Sequence, residues 1–341
     1  MTKVRSRGEK IRDFILKNIE KHPQNIASVA AQRFGISRQA VNKHIKKLVE
    51  EKALTQHGKT RSLSYKLHPL VEWQNSYSVT DALAEDVVWR NDIAPLLGQM
   101  PDNVIDIWHY GFTEMLNNVI DHSEGTTVYL RLEKTATNTE IAIHDDGVGI
   151  FKKIQSALGL LDERHAVLEL AKGKLTTDPA NHTGEGIFFT SRMFDDFNIL
   201  SGGVYFSHKY GNDEDWILER EKFSSGTSVW MKLNNHTART VKKIFDQFSG
   251  DDDIGFNKTV VPVKLAQYGD DKLVSRSQAK RLLARIDRFK IVMFDFKGVD
   301  SIGQAFADEV FRVFASRYPD IELHEVNANA EVVRMIKRVR G

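Results

Sequence analysis

Three polar side chains recur at intervals of one helical turn in the segment DNVIDIWHYGFTEMLNNVIDHSEGT, residues 102–126. Glu114, Asn118 and His122 stand at positions i, i+4 and i+8, which places them on one face of a helix. Carboxylate, amide and imidazole groups on one face offer oxygen and nitrogen ligands, although such a row also fits a solvated helix face. The apolar residues follow the same period on another face, as packing requires: Ile105, Trp108, Phe112, Met115, Leu116 and Val119.

A carboxylate precedes two glycines in a second segment, TEIAIHDDGVGIF, where an alternating strand ends at Asp145. Gly147 and Gly149 let the backbone turn sharply and approach a flat ring, and the Asp145 carboxylate can accept a hydrogen bond from an exocyclic amine. By itself the pattern is also typical of an ordinary turn, since Asp-Gly pairs mark many of them.

A third segment, NHTGEGIFFTSRMFDDF, has a glycine loop that opens directly onto a helix. Thr183, Gly184 and Gly186 precede an apolar helical run that begins at Ile187. The backbone N–H groups at a helix N-terminus carry about half a positive charge and form a cradle for phosphate. The alternative is a glycine-rich connection with no ligand.

In this order, the three segments resemble the GHKL ATPase superfamily, which includes histidine kinases, gyrase-type ATPases and anti-sigma-factor kinases. A late Gly226-Thr227 before the strand TSVWMKL completes the pattern between residues 102 and 233. No G-x-x-x-x-G-K-[ST] motif occurs in the sequence, so a P-loop site is not expected.

The resemblance implies a site for ATP and Mg²⁺. Asn118 would ligate the metal, which needs few protein oxygens. Asp145 would contact the adenine amine beside a wall shaped by Gly147 and Gly149, and Thr227 would fix Asp145 or its water. The implied phosphate-binding residues belong to the third segment: Thr183, Gly184 and Gly186.

The same resemblance suggests catalytic and mobile parts. Glu114 lies one helical turn before Asn118, within reach of a nucleophile near the γ-phosphate, and is the candidate general base. His122 resembles a histidine found at this place in the anti-sigma-factor kinases. Residues 151–183 have the composition of a mobile lid, in which Lys172 and Lys174 are candidates for phosphate contact. The alternatives are a helix and loop that never move, and solvated lysines.

The first 68 residues predict three helices followed by a hairpin. The second helix ends at Gly35, and the third follows Ser37, a typical N-cap residue. The segment LTQHGKTRSLSYKL then predicts two short strands around a Gly-Lys turn. This order resembles a winged helix-turn-helix domain over residues 8–68.

That resemblance implies that the third helix enters the major groove of DNA, where Gln39 and Asn42 would read base edges. Residues 1–70 contain 16 Lys and Arg against 5 Asp and Glu, a net charge of +11, whereas the rest of the chain carries −9. This asymmetry favours a polyanionic partner, although a solvated basic face or a protein-binding winged helix is the alternative. The expected phosphate contacts are Arg38, Lys43, Lys46, Lys47, Lys59 and Arg61.

After residue 236 the sequence predicts a linker helix and then a small sheet covered by helices. The segment IVMFDFKGVDSIGQAFADEVF resembles a STAS module, although it lacks the Ser-Gly-small residues that anti-anti-sigma proteins carry after Asp-Ser. Ser301 stands where that family carries its phosphorylated hydroxyl and is a candidate phosphoacceptor. The alternative is that Ser301 is only the N-cap of the following helix.

These segments predict a multidomain α/β protein: a winged helix head (1–68), a central GHKL α/β sandwich (69–236), a linker helix (237–257) and a STAS-like domain (258–341). A length of 341 residues allows two or three domains. The N-terminus has no secretory signal pattern, and the sequence has no apolar run of about 18 residues, so we expect a soluble protein. The absence of cysteine fits a reducing cytoplasm.

Two functions follow from these predictions. In the first, ATP binding and slow hydrolysis switch a DNA-binding head and a partner module. In the second, the central domain is a serine/threonine kinase acting on Ser301 or on a partner STAS-like domain. A two-component histidine kinase is not expected, because no phosphoacceptor helix or receiver domain is visible, and the chain after residue 236 is too short for a strand-passing machine. Because such units often pair, we expect a homodimer.

Overall fold

The computed structural model describes residues 7–175, 184–211, 216–249, 255–267 and 272–341. Within them the chain is mixed α/β, with helices and three separate sheets. None of the described helices is long and apolar enough to cross a membrane.

The N-terminal unit consists of three helices and a two-stranded antiparallel sheet. Gly35 ends the second helix in the left-handed conformation, with φ of 62°, and Ser37 Oγ accepts a hydrogen bond from Ala40 N at 3.2 Å to cap the third. The unit has a hydrophobic core of its own, centred on Ile15 and Ile45. Its elements are α1 (Arg7–Asn18), α2 (Ile26–Phe34), α3 (Arg38–Glu50), β1 (Leu54–His57) and β2 (Ser64–Leu67).

The central unit is built on a five-stranded antiparallel sheet of order β3-β4-β5-β7-β6. Alternate residues such as Leu130, Ile143 and Met231 are buried, so one face of the sheet packs and the other is polar. The strands are β3 (Val71–Ser78), β4 (Thr127–Lys134), β5 (Asn138–Asp145), β6 (Asp196–Lys209) and β7 (Trp216–Asn234).

Among the residues that the structure describes, six helices belong to this unit, and together with the sheet they form two layers. The longest, α6, buries Trp108, Phe112 and Leu116 at helical spacing, as the sequence predicted. A π-helical turn, Trp89–Ile93, joins the first two helices. The helices are α4 (Glu85–Val88), α5 (Ala94–Leu97), α6 (Asp102–His122), α7 (Ile150–Leu158), α8 (Glu163–Lys172) and α9 (Gly186–Met193).

The C-terminal unit has a three-stranded parallel sheet of order β10-β9-β8, with helices between successive strands. The predicted strands and helices are present, and a π-helical turn, Glu309–Phe314, joins α12 to α13. After α10 (Val241–Gln247) the elements are β8 (Lys258–Pro262), α11 (Arg276–Leu283), β9 (Ile291–Asp295), α12 (Gln304–Asp308), α13 (Ala315–Arg317), β10 (Glu322–Val326) and α14 (Ala330–Arg340).

The central and C-terminal units share one hydrophobic core. The predicted linker helix contributes to that core, because Phe245 of α10 lies with its ring centroid 4.0 Å from that of Phe189 on α9. Phe256 continues the contact, with its centroid 4.9 Å from Phe189 and 5.2 Å from Phe289. These rings fix the C-terminal unit against α9, so residues around α10 join the two units by packing rather than as a free spacer.

Candidate functional site

A cavity of about 320 Å³ lies between α6 and the buried face of the sheet, within the size range of small-molecule sites. It is lined by Asn118 and His122 of α6, by Asp145 at the end of β5, and by residues near the start of α9. Residues from all three sequence segments therefore meet at one place. The predicted site residues that line it are Glu114, Asn118, Asp145, Gly149, Gly184, Gly186 and Thr227.

Asp145 is the most constrained polar group of the cavity, with only 3% of the residue exposed. Its Oδ1 accepts hydrogen bonds from Gly147 N at 2.9 Å and from Thr227 N at 3.2 Å. In the described part of the chain its Oδ2 has no hydrogen-bond partner. Because Asp145 lines the cavity, this second oxygen can accept a hydrogen bond from a donor group on a ligand.

Burial raises the pKa of Asp145, and the two backbone hydrogen bonds oppose that rise. A ligand amine that donates to the carboxylate would stabilise the charged form and lower the pKa again. The electrostatics of the site thus favour a ligand with a hydrogen-bond donor at this end of the cavity.

Thr227 connects the end of β5 to the start of α7. Its backbone N–H binds Asp145, and its hydroxyl accepts a hydrogen bond from Ile150 N at 3.0 Å. The sequence assigned Thr227 a role in fixing Asp145 or its water. The contact with Asp145 comes from the backbone, which any residue could provide, so the role of the threonine side chain stays a prediction.

Gly147 does not line the cavity. A Cβ at this residue would collide with the backbone of Ser123, the residue that follows α6. The glycine is required because the loop after β5 lies against the end of α6, a close approach that the D-x-G-x-G pattern does not distinguish from contact with a ligand.

Glu114 lies directly against the beginning of α9. A Cβ at Gly186, the first residue of α9, would collide with Glu114 Oε2. The carboxylates of Glu114 and Glu185 also act on Tyr110, whose pKa is raised, mainly by burial. An acidic side chain therefore stands at the helix N-terminus that the sequence assigned to phosphate.

Lys153 of α7 lines the cavity, although sequence reasoning missed it. Its Nζ donates hydrogen bonds to the carbonyl oxygen of His122 at 2.7 Å and to Glu124 Oε1 at 2.9 Å. These bonds tie α7 to the C-terminal end of α6, where the helix dipole favours a cation. No motif marks this lysine, because its partners are 29 and 31 residues earlier in the chain.

The two lysines considered for phosphate contact both bind the C-terminal unit. Lys172 is 1% exposed, and its Nζ lies 2.7 Å from Glu169 Oε1, so it is neither solvated nor part of the cavity lining. Lys174 Nζ donates to the carbonyl oxygen of Arg288 at 3.0 Å and stands over the ring of Phe289. Its charge also acts on Glu185, the residue before α9, and opposes the rise in the pKa of Glu185 that burial causes, so its phosphate role stays a prediction. In the predicted lid, α8 is largely buried, while residues 176–183, including Thr183, lie outside the described residues.

The predicted position of Ser301 at the start of a helix is wrong. The next helix, α12, begins at Gln304 with Gly303 as its N-cap, so Ser301 is neither at the helix start nor its cap. The reason is a parallel β-bridge between Leu273 and Ile302, which keeps the chain extended up to that residue.

The predicted DNA-binding residues of α3 lie on an exposed face of the N-terminal unit. Each of the predicted residues of α3 is exposed, as is Lys59 after β1, while Val41 and Ile45 face the core. Arg61 belongs to a short 3-10 turn, Thr60–Ser62, between the two strands. The exposed residues of α3 are Arg38, Gln39, Asn42, Lys43, Lys46 and Lys47.

Residues 278–333 match the family described as STAS-like domain of unknown function (DUF4325). This match confirms the STAS-like prediction for that part of the C-terminal unit. No curated protein matches the chain.

Asp145 and the adjacent Asp146 provide a matched pair for a pH test. Because the pKa of Asp145 is raised on folding, its stabilising contribution is present at low pH and is lost as the pH rises from 3.8 through the raised pKa. We therefore expect Asp145→Asn to gain stability relative to the native protein across that range. The free energy of unfolding in urea, from acidic to neutral pH, measures this difference.

Asp146 is the control, because its pKa is shifted in the opposite direction to that of Asp145. Hydrogen bonds from Thr127 and Thr126 lower its pKa, so its contribution is present above 3.8 and is lost as the pH falls through the lowered pKa. Asp146→Asn should lose stability at neutral pH. Parallel pH profiles for the two variants would contradict this description of the site.

Proposed function

We propose that this protein is an ATP-binding regulator that binds DNA through its N-terminal unit, and that the nucleotide in the central cavity controls that binding. The observation that carries the proposal is the convergence of Asn118, Asp145 and Gly186 on one cavity, where an Asp145 oxygen can accept a further hydrogen bond. Three segments remote in sequence bring an amide, a carboxylate and a helix N-terminus to the same space.

The residues of the cavity fit ATP and Mg²⁺. Asp145 Oδ2 would accept the hydrogen bond of the adenine amine, while Ile143, Ile199 and Val229 supply apolar surface for the ring. Asn118 suits Mg²⁺, which retains waters and takes most of its remaining ligands from phosphate. The described residues contain no cluster of three or more His, Asp or Glu side chains that would hold a metal without such help.

The phosphates would lie at the start of α9, where Gly184 and Gly186 line the cavity. Bound Mg²⁺ would neutralise phosphate charge at this end of the cavity. Glu114 stands at the same helix start, and this position supports its role as a general base that accepts a proton from an attacking water. A carboxylate so close to the phosphate site would also repel a nucleotide that lacks its metal.

The exposed basic face of α3 supports DNA as the partner of the N-terminal unit. Burial and the positive charges of Arg12 and Lys47 lower the pKa of His44, which reports a positive field at this surface. Gln39 and Asn42 lie on the same exposed face and would contact bases, while the lysines would bind phosphates.

Phosphoryl transfer to Ser301 within one chain is less well supported. The extended chain near Ser301 pairs with Leu273, next to the N-terminal end of α11, whereas Lys172 contacts the opposite end of that helix. Ser301 does not line the cavity in which the γ-phosphate would lie, whereas a nucleophile must approach to about 3 Å. We therefore favour a nucleotide switch over a kinase.

Replacing Asn118 tests the metal site. Asn118→Ala should raise the Kd for Mg-ATP about a hundredfold or more, because a direct ligand is removed and even outer-shell changes cost 10–100-fold. Isothermal titration calorimetry with and without Mg²⁺ gives the measurement. Asn75→Ala, which removes an exposed amide on β3, is the control and should bind normally. Equal affinities in the two variants would remove Asn118 from the site.

Replacing Glu114 separates binding from turnover. Glu114→Gln should retain ATP but hydrolyse it about 10²–10⁴ times more slowly, since a general base contributes a factor of that size. Asp106→Asn, an exposed carboxylate on the same helix, is the control. Release of phosphate and mass spectrometry of the protein are measured together, and phosphate found on Ser301 would favour the kinase instead.

Nucleotide-dependent DNA binding tests the whole proposal. We expect the affinity of the full chain for duplex DNA to differ between ATP, ADP and a non-hydrolysable analogue. We also expect it to fall with salt, with log K decreasing by about 0.9 per log unit of salt for each phosphate bound. Lys47→Ala should reduce that slope by about 1, whereas Lys17→Ala on α1 should not. The same affinity in all three nucleotide states would refute the switch.

A further inference from the structure

A buried group of charges joins α8 to the C-terminal unit. Lys172 Nζ donates to Glu169 Oε1 at 2.7 Å and to the carbonyl oxygens of Arg281 and Ala284 at 3.1 and 2.9 Å. Arg285 Nη1 lies 3.3 Å from the second oxygen, Glu169 Oε2. Two cations and one carboxylate are thus held together at the contact between the units.

Because these charges are buried, each of them depends on its partners in the group. Burial lowers the pKa of Lys172, and the carboxylate of Glu169 opposes that effect. Removing one partner of a buried ion group leaves an uncompensated charge, which is strongly unfavourable. Separation of the C-terminal unit from α8 would leave these charges without their partners, which is unfavourable. We therefore expect α8 and the C-terminal unit to move together.

Side chains of the C-terminal unit also bind the backbone at the end of α8 and just after it. The carbonyl oxygen of Lys174 accepts hydrogen bonds from Arg285 Nη2 and from Arg288 Nη1, the latter at 3.1 Å. Thr259 of β8 donates its hydroxyl to the carbonyl oxygen of Lys172 at 2.6 Å. Three side chains of the C-terminal unit thus fix the backbone of residues 172–174.

This same stretch forms a wall of the central cavity. Leu170 and Leu175 line the cavity on either side of the residues that contact the C-terminal unit. Leu175 N also donates to the carbonyl oxygen of Gly184 at 2.9 Å, next to the start of α9. A displacement of residues 172–174 would therefore move the apolar wall and the proposed phosphate site.

We infer that the C-terminal unit holds one wall of the nucleotide cavity in place without lining the cavity itself. Arg285 is a positioning residue that acts on this wall through Lys174 and Leu175. This inference rests on the proposed ATP site and specifies how that site is regulated. A protein partner that shifts the C-terminal unit changes the affinity for ATP, and bound ATP changes the affinity for that partner by the same factor.

The test compares Arg285→Ala with Arg317→Ala, an exposed arginine of the same unit. The Kd for Mg-ATP is measured by calorimetry on the full chain, together with thermal unfolding followed by circular dichroism as a check that each variant is folded. We expect Arg285→Ala to weaken Mg-ATP binding about tenfold, within the usual range of coupling between sites, and Arg317→Ala to leave it unchanged. Arg285→Lys should restore only part of the affinity, because lysine cannot bind Glu169 and Lys174 with one planar fork.

Hydrogen exchange on the native chain gives a second measurement that does not depend on the folding of a variant. Addition of Mg-ATP should slow amide exchange in residues 276–288, which do not line the cavity, as well as in α8. If the native chain does not bind ATP, the proposed function fails. If it binds ATP but residues 276–288 exchange unchanged, or if folded Arg285→Ala binds with native affinity, the inference is overturned while the ATP site stands.

Discussion

The central fact of this structure is the burial of the Asp145 carboxylate at the end of β5. One oxygen accepts hydrogen bonds from the backbone N–H groups of Gly147, in the loop after β5, and of Thr227, within β7. These bonds hold the loop and the strand at the same point. Because the hydroxyl of Thr227 also binds the first turn of α7, the carboxylate, the glycine turn and the helix form one rigid corner. The cavity exists because α6 and α9 pack against that corner and leave space in front of it.

The distribution of charge suggests that the N-terminal unit and the central unit would bind their anions by different physical means. The first 70 residues carry +11, which favours a long polyanion through its field at the surface. The rest of the chain carries −9, so the net field does not attract a triphosphate. Binding in the central unit would depend on local donors instead, the N-terminus of α9 and a metal ion beside Asn118.

The two junctions between units differ in strength. The N-terminal unit contacts the central sheet through Glu20, whose carboxylate lies 2.8 Å from Lys232 Nζ at a half-exposed site. Such a pair contributes about 0–1 kcal/mol, and the unit keeps a separate core, so a change of orientation costs little there. The C-terminal unit shares its core with the central unit and adds the buried charges around Lys172. We therefore expect it to follow movements of the cavity wall closely.

Local pattern determined much of this protein by itself. Periodicity located α6 and the elements of the C-terminal sheet, and the N-cap at Ser37 and the left-handed Gly35 follow from short-range backbone chemistry. The sequence also singled out Asn118, Asp145 and Gly186, each from a pattern with a local physical reason, and the structure brings all three to one cavity. Tertiary structure decided the rest. Lys153, Lys172 and Arg285 have partners far away in the chain, and Gly147 and Ser301 depend on which segment packs beside them. No local spacing encodes such contacts, because they arise only when separate elements bury their surfaces against one another.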